Sequence, residues 1–571
     1  METEKRFLLA VALTIGFLYV WSAYFVPKPN PQGGTPERLP ESIHDRPNGH
    51  KESLESEPTT KKEKNVAVEK IEPRGPLTLP VKVKKETPLL AMSWTSQGAS
   101  PERISLKKFR MTSSKGAPLV DVVPFQGEVS YPLRWEFEID GQTTIDDNLN
   151  YSLLSNEDRS LKYRADLTKE IFVTKTFTWE PSSYVIEGKM DIQNNGLAPL
   201  KVKVLTTISS GQIIPKQKSF FSALGAREEP VRAISYINEK AIHLRSEDIA
   251  KKKEFPRGDI QWAGFDAQYF LLTVLPVTGR WTELRVSSPV SSPRSSIEEQ
   301  EKVVQMDLKM IYPQLEIAGR SSQIFSFKLF AGPKEIGVLR TSGTTLDHAI
   351  DLGDWLGPIA RPILLFLRWL YSFLPNYGVA IVLLTVLVRL LMFPLAHMQA
   401  NSMRKMQQHK PAMDALKEKY GENKEAYSRE LMNYMRTHRI NPMGGCLLLL
   451  PQLPIFFALY RVLYNSIELR HAPFTLWIKD LSAHDPYFVL PLLLGAAMYF
   501  QQKLTPSPGA DPTQQTMMKI MPVMFSVFML FLPSGLNLYI LVSTLWGVAQ
   551  QYWVQRETLA ISIPQGKVSK K

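Results

Sequence analysis

The predicted fold class is a multi-domain membrane protein: six α-helical spans, a large all-β sandwich on one side of the membrane and a helical hairpin on the other. Three observations predict it. Apolar runs of membrane length occupy 7–26 and crowd the region after residue 355, each near the length a bilayer core requires. Between about 85 and 340 the apolar residues recur at every second position, the period of a half-buried strand. The third is a charge: the apolar stretch 376–396, NYGVAIVLLTVLVRLLMFPLA, carries Arg389 inside it. The mean hydropathy of −0.14 averages over this segregation.

Arg389 organises the functional reading. In a helix it lies roughly 20 Å from Asn376 and about 10 Å from the far end of the run. That depth is inside the hydrocarbon, where ionisable groups are rare, costly and functional by default. The runs 7–26, 443–467, 487–502 and 517–555 contain no Asp or Glu, so the membrane part of the chain offers Arg389 no counter-ion. It faces water, backbone carbonyls or a negative charge supplied by something else; the bland alternative is that it snorkels to the headgroups.

Taken in order, residues 1–26 form an N-terminal signal-anchor helix. The run 7–26 is uncharged, follows Lys5 and Arg6, and ends among Trp21, Tyr24 and Phe25. A cleavable signal has a shorter apolar core and a small-residue cleavage site, so a retained anchor with its N-terminus inside is the better fit. Residues 27–84 read as a disordered linker: up to Pro80 they hold ten prolines, no aromatic residue and nine basic against nine acidic side chains. Such composition buries too little apolar surface to offset the entropy of ordering.

Residues 85–345 form the β domain. RWEFEID (134–140) leads into Asp140-Gly141, a hairpin signal. Runs at 171–180, 184–193, 201–210, 269–276 and 324–332 continue the alternation, with turns such as Asn194-Asn195-Gly196 between them. Many short strands at this spacing indicate a sandwich. A single cysteine, Cys446, excludes an intrachain disulfide, so packing alone must hold the domain.

Residues 355–375 read as an interfacial amphipathic helix, with Ile363, Leu364, Phe366, Leu367 and Leu370 on one side and Arg361 and Arg368 on the other. The apolar stretch 363–396 would be about 50 Å long as one helix, so Pro375-Asn376 should divide it before the span 376–396. Residues 397–441 carry nine Lys/Arg against five Asp/Glu. Met403, Met406, Met413, Leu416 and Tyr420, then Tyr427, Leu431, Tyr434 and Met435, repeat at helical spacing around a turn at 421–423. This is a basic helical hairpin, with a bend expected at Pro411; its methionines either pack it or offer an adaptable apolar surface. Residues 442–556 supply transmembrane helices 3–6, and 557–571 a basic tail. Nine basic residues in the large loop against two in 468–486 place the hairpin and both termini inside.

The net charge of +13 sits largely in loops beside the spans, so it does not argue for nucleic acid. No H-E-x-x-H occurs, and the five downstream spans hold no histidine. Ser534 precedes Gly535 in a turn with no partner base. Hence no catalytic residue, metal or cofactor is expected. Thr385, Gln452, Ser526, Asn537, Ser543 and Thr544 instead scatter neutral polarity through the spans. Such residues often pack helix against helix; beside an unpaired arginine they suit a hydrated, positively charged cavity.

TVLVRLLMFPL with M-x-K-M-Q at 403–407, NPMGGCLLLLPQLPIFFALY (441–460), ELRHAPFTLWIKDLSAHDPYFVLP (468–491) and MPVMFSVFMLFLPSGLNLYILVS (521–543) closely resemble the YidC membrane protein insertases in their Gram-negative form. The resemblance implies a five-span core behind the anchor, with a groove open to cytoplasm and lipid, and a periplasmic β-super-sandwich. It implies Arg389 as the positive centre, with Thr385, Gln452, Ser526, Ser543 and Tyr539 lining the groove, and Met403, Met406 and Met413 on a substrate-contacting cytoplasmic hairpin. It implies a non-enzymatic insertase and folding chaperone of the bacterial inner membrane. The implied partners are nascent inner-membrane proteins, the Sec translocon with its accessory subunits, the ribosome and membrane lipids, with no nucleic acid beyond ribosome contact. Two departures stand out. Ile540 replaces a second tyrosine expected after Tyr539, and Arg461 lies in an apolar run, from which it is expected to snorkel outward. The competing class is a small-anion transporter or channel using Arg389.

Overall fold

Strict alternation becomes strand. Ile171–Trp179 buries every second residue, and Leu133–Ile139 turns through Asp140 and Gly141, both at positive φ, into Gln142–Ile145. That is the left-handed geometry an Asp-Gly hairpin supplies. The computed structural model describes residues 79–561 apart from 115, 124–131, 216–230, 246–247, 250–254, 288–300, 354, 422, 439, 441–448 and 505–511. The expected anchor 1–26, most of the linker, Cys446 and residues 562–571 of the expected tail lie outside them. The described residues fall in one compact unit, Gly75–Lys571.

Three antiparallel sheets build the β-sandwich region. One has four strands, from Lys82–Glu86 to Leu119–Asp121. A second has nine, in spatial order Lys240–Leu244, Arg232–Ile237, Ile260–Asp266, Phe270–Pro276, Ser321–Pro333, Val185–Asn194, Ile171–Trp179, Ser160–Asp166 and Ser152–Glu157. The third has six and centres on Leu200–Pro215. Lys82–Glu86 pairs with Leu90–Thr95, so ordered structure begins inside the 27–84 segment read as linker. KVKKE is too charged to look like a strand, but it needs to bury only Val83 as an edge.

Aromatic rings from all three sheets meet in the core. Trp94 stands 4.5 Å from Phe177, Phe177 6.3 Å from Phe327, and Phe327 5.1 Å from Trp135, centroid to centroid. Gly188 lies in register between Phe177 and Phe327. A Cβ there would come within 2.2 Å of the Phe327 ring, so only glycine lets these strands meet with the rings stacked over them.

Ten α-helices are described. α1 (Ile336–Ser342) closes the β region. α2 (Gly357–Phe373) buries Ala360, Leu364 and Leu367, and its Arg368 reaches Glu335 at 3.2 Å. Asn376 accepts the Val379 N–H at 3.1 Å and so caps α3 (Tyr377–Leu391), a side-chain acceptor for an orphan donor. α4 is Phe393–Gln408, α5 Lys410–Tyr420 and α6 Lys424–Thr437. α7 is Leu449–Asn465, α8 Val489–Leu504, α9 Pro512–Met529 and α10 Ser534–Ile561.

Several boundaries differ from the sequence reading. The helix expected over 376–396 ends at Leu391 and resumes in α4 after a 56° bend, because Pro394 has no N–H to donate and its ring crowds the preceding turn. The hairpin expected from 397 therefore begins at Phe393. Its internal break falls at His409, with Pro411 in the first turn of α5, where proline is tolerated. α10 continues to Ile561, beyond the expected end at 556. Among the described residues no single helix is long and apolar enough to cross a membrane; the bent pair Tyr377–Leu391 and Phe393–Gln399 has the length and composition.

A buried charge chain joins the β region to the helices. Lys334 donates to Asp266 at 2.6 Å, Arg232 bridges Asp266 and Asp351, and Asp351 meets Arg461 of α7 at 3.2 Å. Asn465 donates to the Asp351 carbonyl at 2.8 Å. Arg461 is thus buried and paired, not snorkelled outward as expected. Burial alone would raise the Asp266 carboxyl, but Lys334, Arg232 and His243 hold it well below the usual carboxylate range.

Asp266→Asn strands Lys334 and should cost about 3–5 kcal/mol, read as a lowered thermal midpoint of the detergent-solubilised chain. A depressed folded-state pKa contributes stability that is complete above the unfolded value, about 3.9, and lost as pH falls through the folded value. The gap between wild type and Asp266→Asn should therefore hold constant from pH 7 to about pH 5 and narrow progressively as pH falls below about 4.

Candidate functional site

Arg389 sits near the C-terminal end of α3, which packs against α10. It is half-buried. Its Nε donates to Ser543 Oγ at 2.8 Å, and Nη2 donates to the same oxygen. Among the described residues no carboxylate forms an ion pair with it. One neutral hydroxyl cannot neutralise a guanidinium, so the site keeps its positive charge.

Ser543 belongs to a polar face of α10. Tyr539, Ser543, Trp546 and Gln550 follow at spacings of four, three and four, one side of a helix. Tyr539 is buried, and its hydroxyl accepts from Gln452 Nε2 of α7 at 3.2 Å. Gln452 Oε1, Trp546 Nε1 and Gln550 Nε2 are buried without a protein partner among the described residues. A buried polar atom left unsatisfied costs about 1–3 kcal/mol, so this many on and beside one helix face calls for solvent or a polar ligand. α10 also packs on α7 and α8, which places this polar cluster among α3, α7 and α10.

Four of the six residues singled out for the groove are therefore linked: Arg389 to Ser543, Tyr539 to Gln452, with Tyr539 one turn from Ser543. Thr385 lies one turn before Arg389 on α3, fully buried, its hydroxyl donating to Ile381 O at 2.6 Å. Ser526 stands apart from this group. It donates to Pro491 O at 2.7 Å and lies against Gly495, where a Cβ would come within 2.9 Å of its hydroxyl. It joins α9 to α8.

Of the hairpin methionines, Met413 is buried where α5 meets α6, Met406 is half-buried, and the side chain of Met403 lies outside the described atoms. Met398 and Met432 are exposed; neither was singled out, because helical periodicity marks a face without saying which partner covers it. His409 Nδ1 and Tyr434 OH are 2.9 Å apart, tying the two arms. The Asp351–Arg461 pair was also missed. Its partners are 110 residues apart, and the only signal was an arginine in an apolar run with an acidic stretch upstream.

Large apolar side chains stay exposed on the same bundle, among them Trp369 and Phe373 of α2, Leu492 and Phe500 of α8, and Val523 and Met524 of α9. Large apolar side chains exposed on several helices are what a membrane or partner surface presents. Among the described residues no group of His, Cys, Asp and Glu could hold a metal, and the polar cluster around Arg389 holds neither a nucleophile–base pair nor paired carboxylates.

The chain matches two family models: the 60Kd inner membrane protein over residues 369–560 and the YidC periplasmic domain over 82–366. It is 32% identical to the membrane protein insertase YidC of Geobacter sulfurreducens, covering 97% of this chain and 98% of that protein. It is 30% identical to the membrane protein insertase YidC of Syntrophus aciditrophicus, covering 97% and 100%. Among solved structures, the active YidC insertase with its first transmembrane domain resolved is 19% identical, covers 83% of this chain and 94% of that chain, and has a TM-score of 0.36.

The two serines should separate in mutagenesis. Ser543→Ala removes an acceptor from a half-buried charged group and should lower stability by about 1.5–3 kcal/mol, the range for a hydrogen bond to a charged group. Ser526→Ala removes a neutral bond and should cost about 0.5–1.5 kcal/mol. Thermal unfolding in one detergent checks the ranking.

Proposed function

The chain belongs to the YidC family of membrane protein insertases, and from that premise we propose that it inserts newly made inner-membrane proteins through the recess around Arg389. The observation that carries this reading is the guanidinium itself, half-buried and, among the described residues, bonded to a single neutral hydroxyl. Burying either charge alone is unfavourable, so Arg389 attracts an acidic tail that would otherwise face hydrocarbon unaided. Polar groups on α10 and α7 hydrate the recess and lower the barrier to that tail. The apolar segment of the substrate then leaves sideways into lipid, past the exposed apolar side chains of the bundle. Hydrophobic transfer supplies the drive, and the membrane potential acts on the charge carried across. No covalent step and no nucleotide is involved.

The accompanying topology has six spans, the anchor 7–26 first, with the sandwich periplasmic and both termini cytoplasmic. The hairpin α4–α6 receives substrate on the cytoplasmic side. Its buried Met413 holds the arms together, while exposed Met398 and Met432 offer the adaptable surface. Chaperoning of folding, co-operation with the Sec translocon and contact with the ribosome through the basic hairpin and tail belong to the same proposal.

Purified protein in liposomes, given a single-span substrate with a short tail, should yield a protease-protected tail without flux of a small anion. Anion flux without insertion would make the chain a transporter instead. The tail's sign matters too. Two like charges about 10 Å apart at an effective dielectric near 20 repel by about 1.7 kcal/mol. Replacing an acidic tail residue with lysine should therefore slow insertion by about tenfold or more.

A further inference from the structure

A second basic recess lies where the sandwich meets the segment between α7 and α8. It is a cleft of about 310 Å³ lined by Lys108, Arg110, Thr112, Ser113, His471, Pro473 and Lys479. No carboxylate lines it. Asp480 lies 3.8 Å from His471 and is engaged in its own loop, accepting from the backbone of His471 and Ser482 and from the Ser482 hydroxyl. Lys108 and Lys479 are exposed and form no ion pair among the described residues. The two walls are held together, since Arg470 donates to the carbonyls of Arg110 and Met111 at 2.8 and 3.1 Å. Three basic side chains, His471 and two hydroxyls therefore line one space in which no carboxylate is a lining residue.

The height of the cleft identifies the ligand chemistry. Pro473 lines it, and Phe474, the next residue, packs against Gly378 in the first turn of α3, while the Phe474 carbonyl accepts from Asn376 at 2.9 Å. The cleft thus opens just outside the outer end of α3. Leu476, 80% exposed, and Trp477 lie on the same short segment, as side chains at a headgroup boundary do. On the topology proposed above, on which this inference rests, that is the level of the outer-leaflet phosphates.

We propose that this cleft binds the phosphate of an anionic phospholipid headgroup in the outer leaflet, with Lys108 and Lys479 as its principal cations, and so fixes the sandwich at a set height on the bilayer. A phosphodiester offers acceptor oxygens to lysines and hydroxyls together. A zwitterionic headgroup brings its own cation and binds less well.

The test uses the full chain in nanodiscs with a headgroup-photoreactive phosphatidylglycerol or phosphatidylcholine, mapping crosslinked peptides. Phosphatidylglycerol should label the peptides holding 108–113 and 471–479. Lys108→Ser/Lys479→Ser should reduce that labelling about 30-fold, roughly fivefold for each lysine. Both lysines are exposed, so the double variant should fold, and an unchanged thermal midpoint checks it. Equal labelling by the two lipids, or no loss in the variant, overturns the proposal. Displacement by millimolar inorganic phosphate would assign the cleft to a free anion and overturn the lipid source. In sealed membrane vesicles of known orientation, Thr112→Cys in a Cys446→Ser background should react with a membrane-impermeant maleimide from the outer face. Reaction only from the inner face overturns the topology as well, whereas outer labelling without lipid crosslinking overturns this inference alone.

Discussion

A guanidinium among apolar helices is the constraint on which the bundle depends. Translocon-based scales place its cost at about 2.5–3.5 kcal/mol at a helix centre, and this chain does little to offset it. Ser543 supplies one hydroxyl. The rest of the α10 face repeats the pattern, with Tyr539 bonded to Gln452 and Trp546 Nε1 and Gln550 Nε2, beside Gln452 Oε1 of α7, left without protein partners among the described residues. A bundle selected for stability alone would replace this face with leucine. Retaining it makes sense if something polar passes there.

Arg461 provides the contrast within the same fold. It too lies in an apolar helix, yet Asp351 neutralises it and Arg232 extends the pairing to Asp266 and Lys334. Every member of that network has an oppositely charged partner, and it joins the β region to α7. Removing one partner from such a chain destabilises strongly, whereas the intact chain contributes little net stability; its value lies in fixing relative placement. The two arginines thus differ in kind: Arg461 is buried and ion-paired, tying the sandwich to α7, whereas half-buried Arg389 meets no carboxylate among the described residues.

Much of this was legible in the sequence because local rules decide it. Asp140-Gly141 dictated a hairpin by backbone sterics, and the alternation in Ile171–Trp179 told which residues face the core. Arg389 and its lack of a carboxylate could be read from composition alone. Long-range pairing could not. Nothing in the local pattern tells that Ser543 meets Arg389 while Ser526 turns to Pro491, because both are serines in apolar helices. Arg461 was misread for the same reason, its partner lying in a distant loop. Pro394 was visible, but its effect depends on whether the helix must bend there, which packing decides.

The central claim is that the Arg389 charge, and not merely a polar recess, draws the substrate tail. Insertion of an acidic-tailed single-span substrate into liposomes by wild type, Arg389→Lys and Arg389→Ala tests it most directly. The account predicts that lysine, which keeps the charge, preserves most insertion, and that alanine lowers it about tenfold, the effect of losing roughly 1.4 kcal/mol of attraction. Equal insertion by all three would contradict it and move the work to hydration of the α10 face.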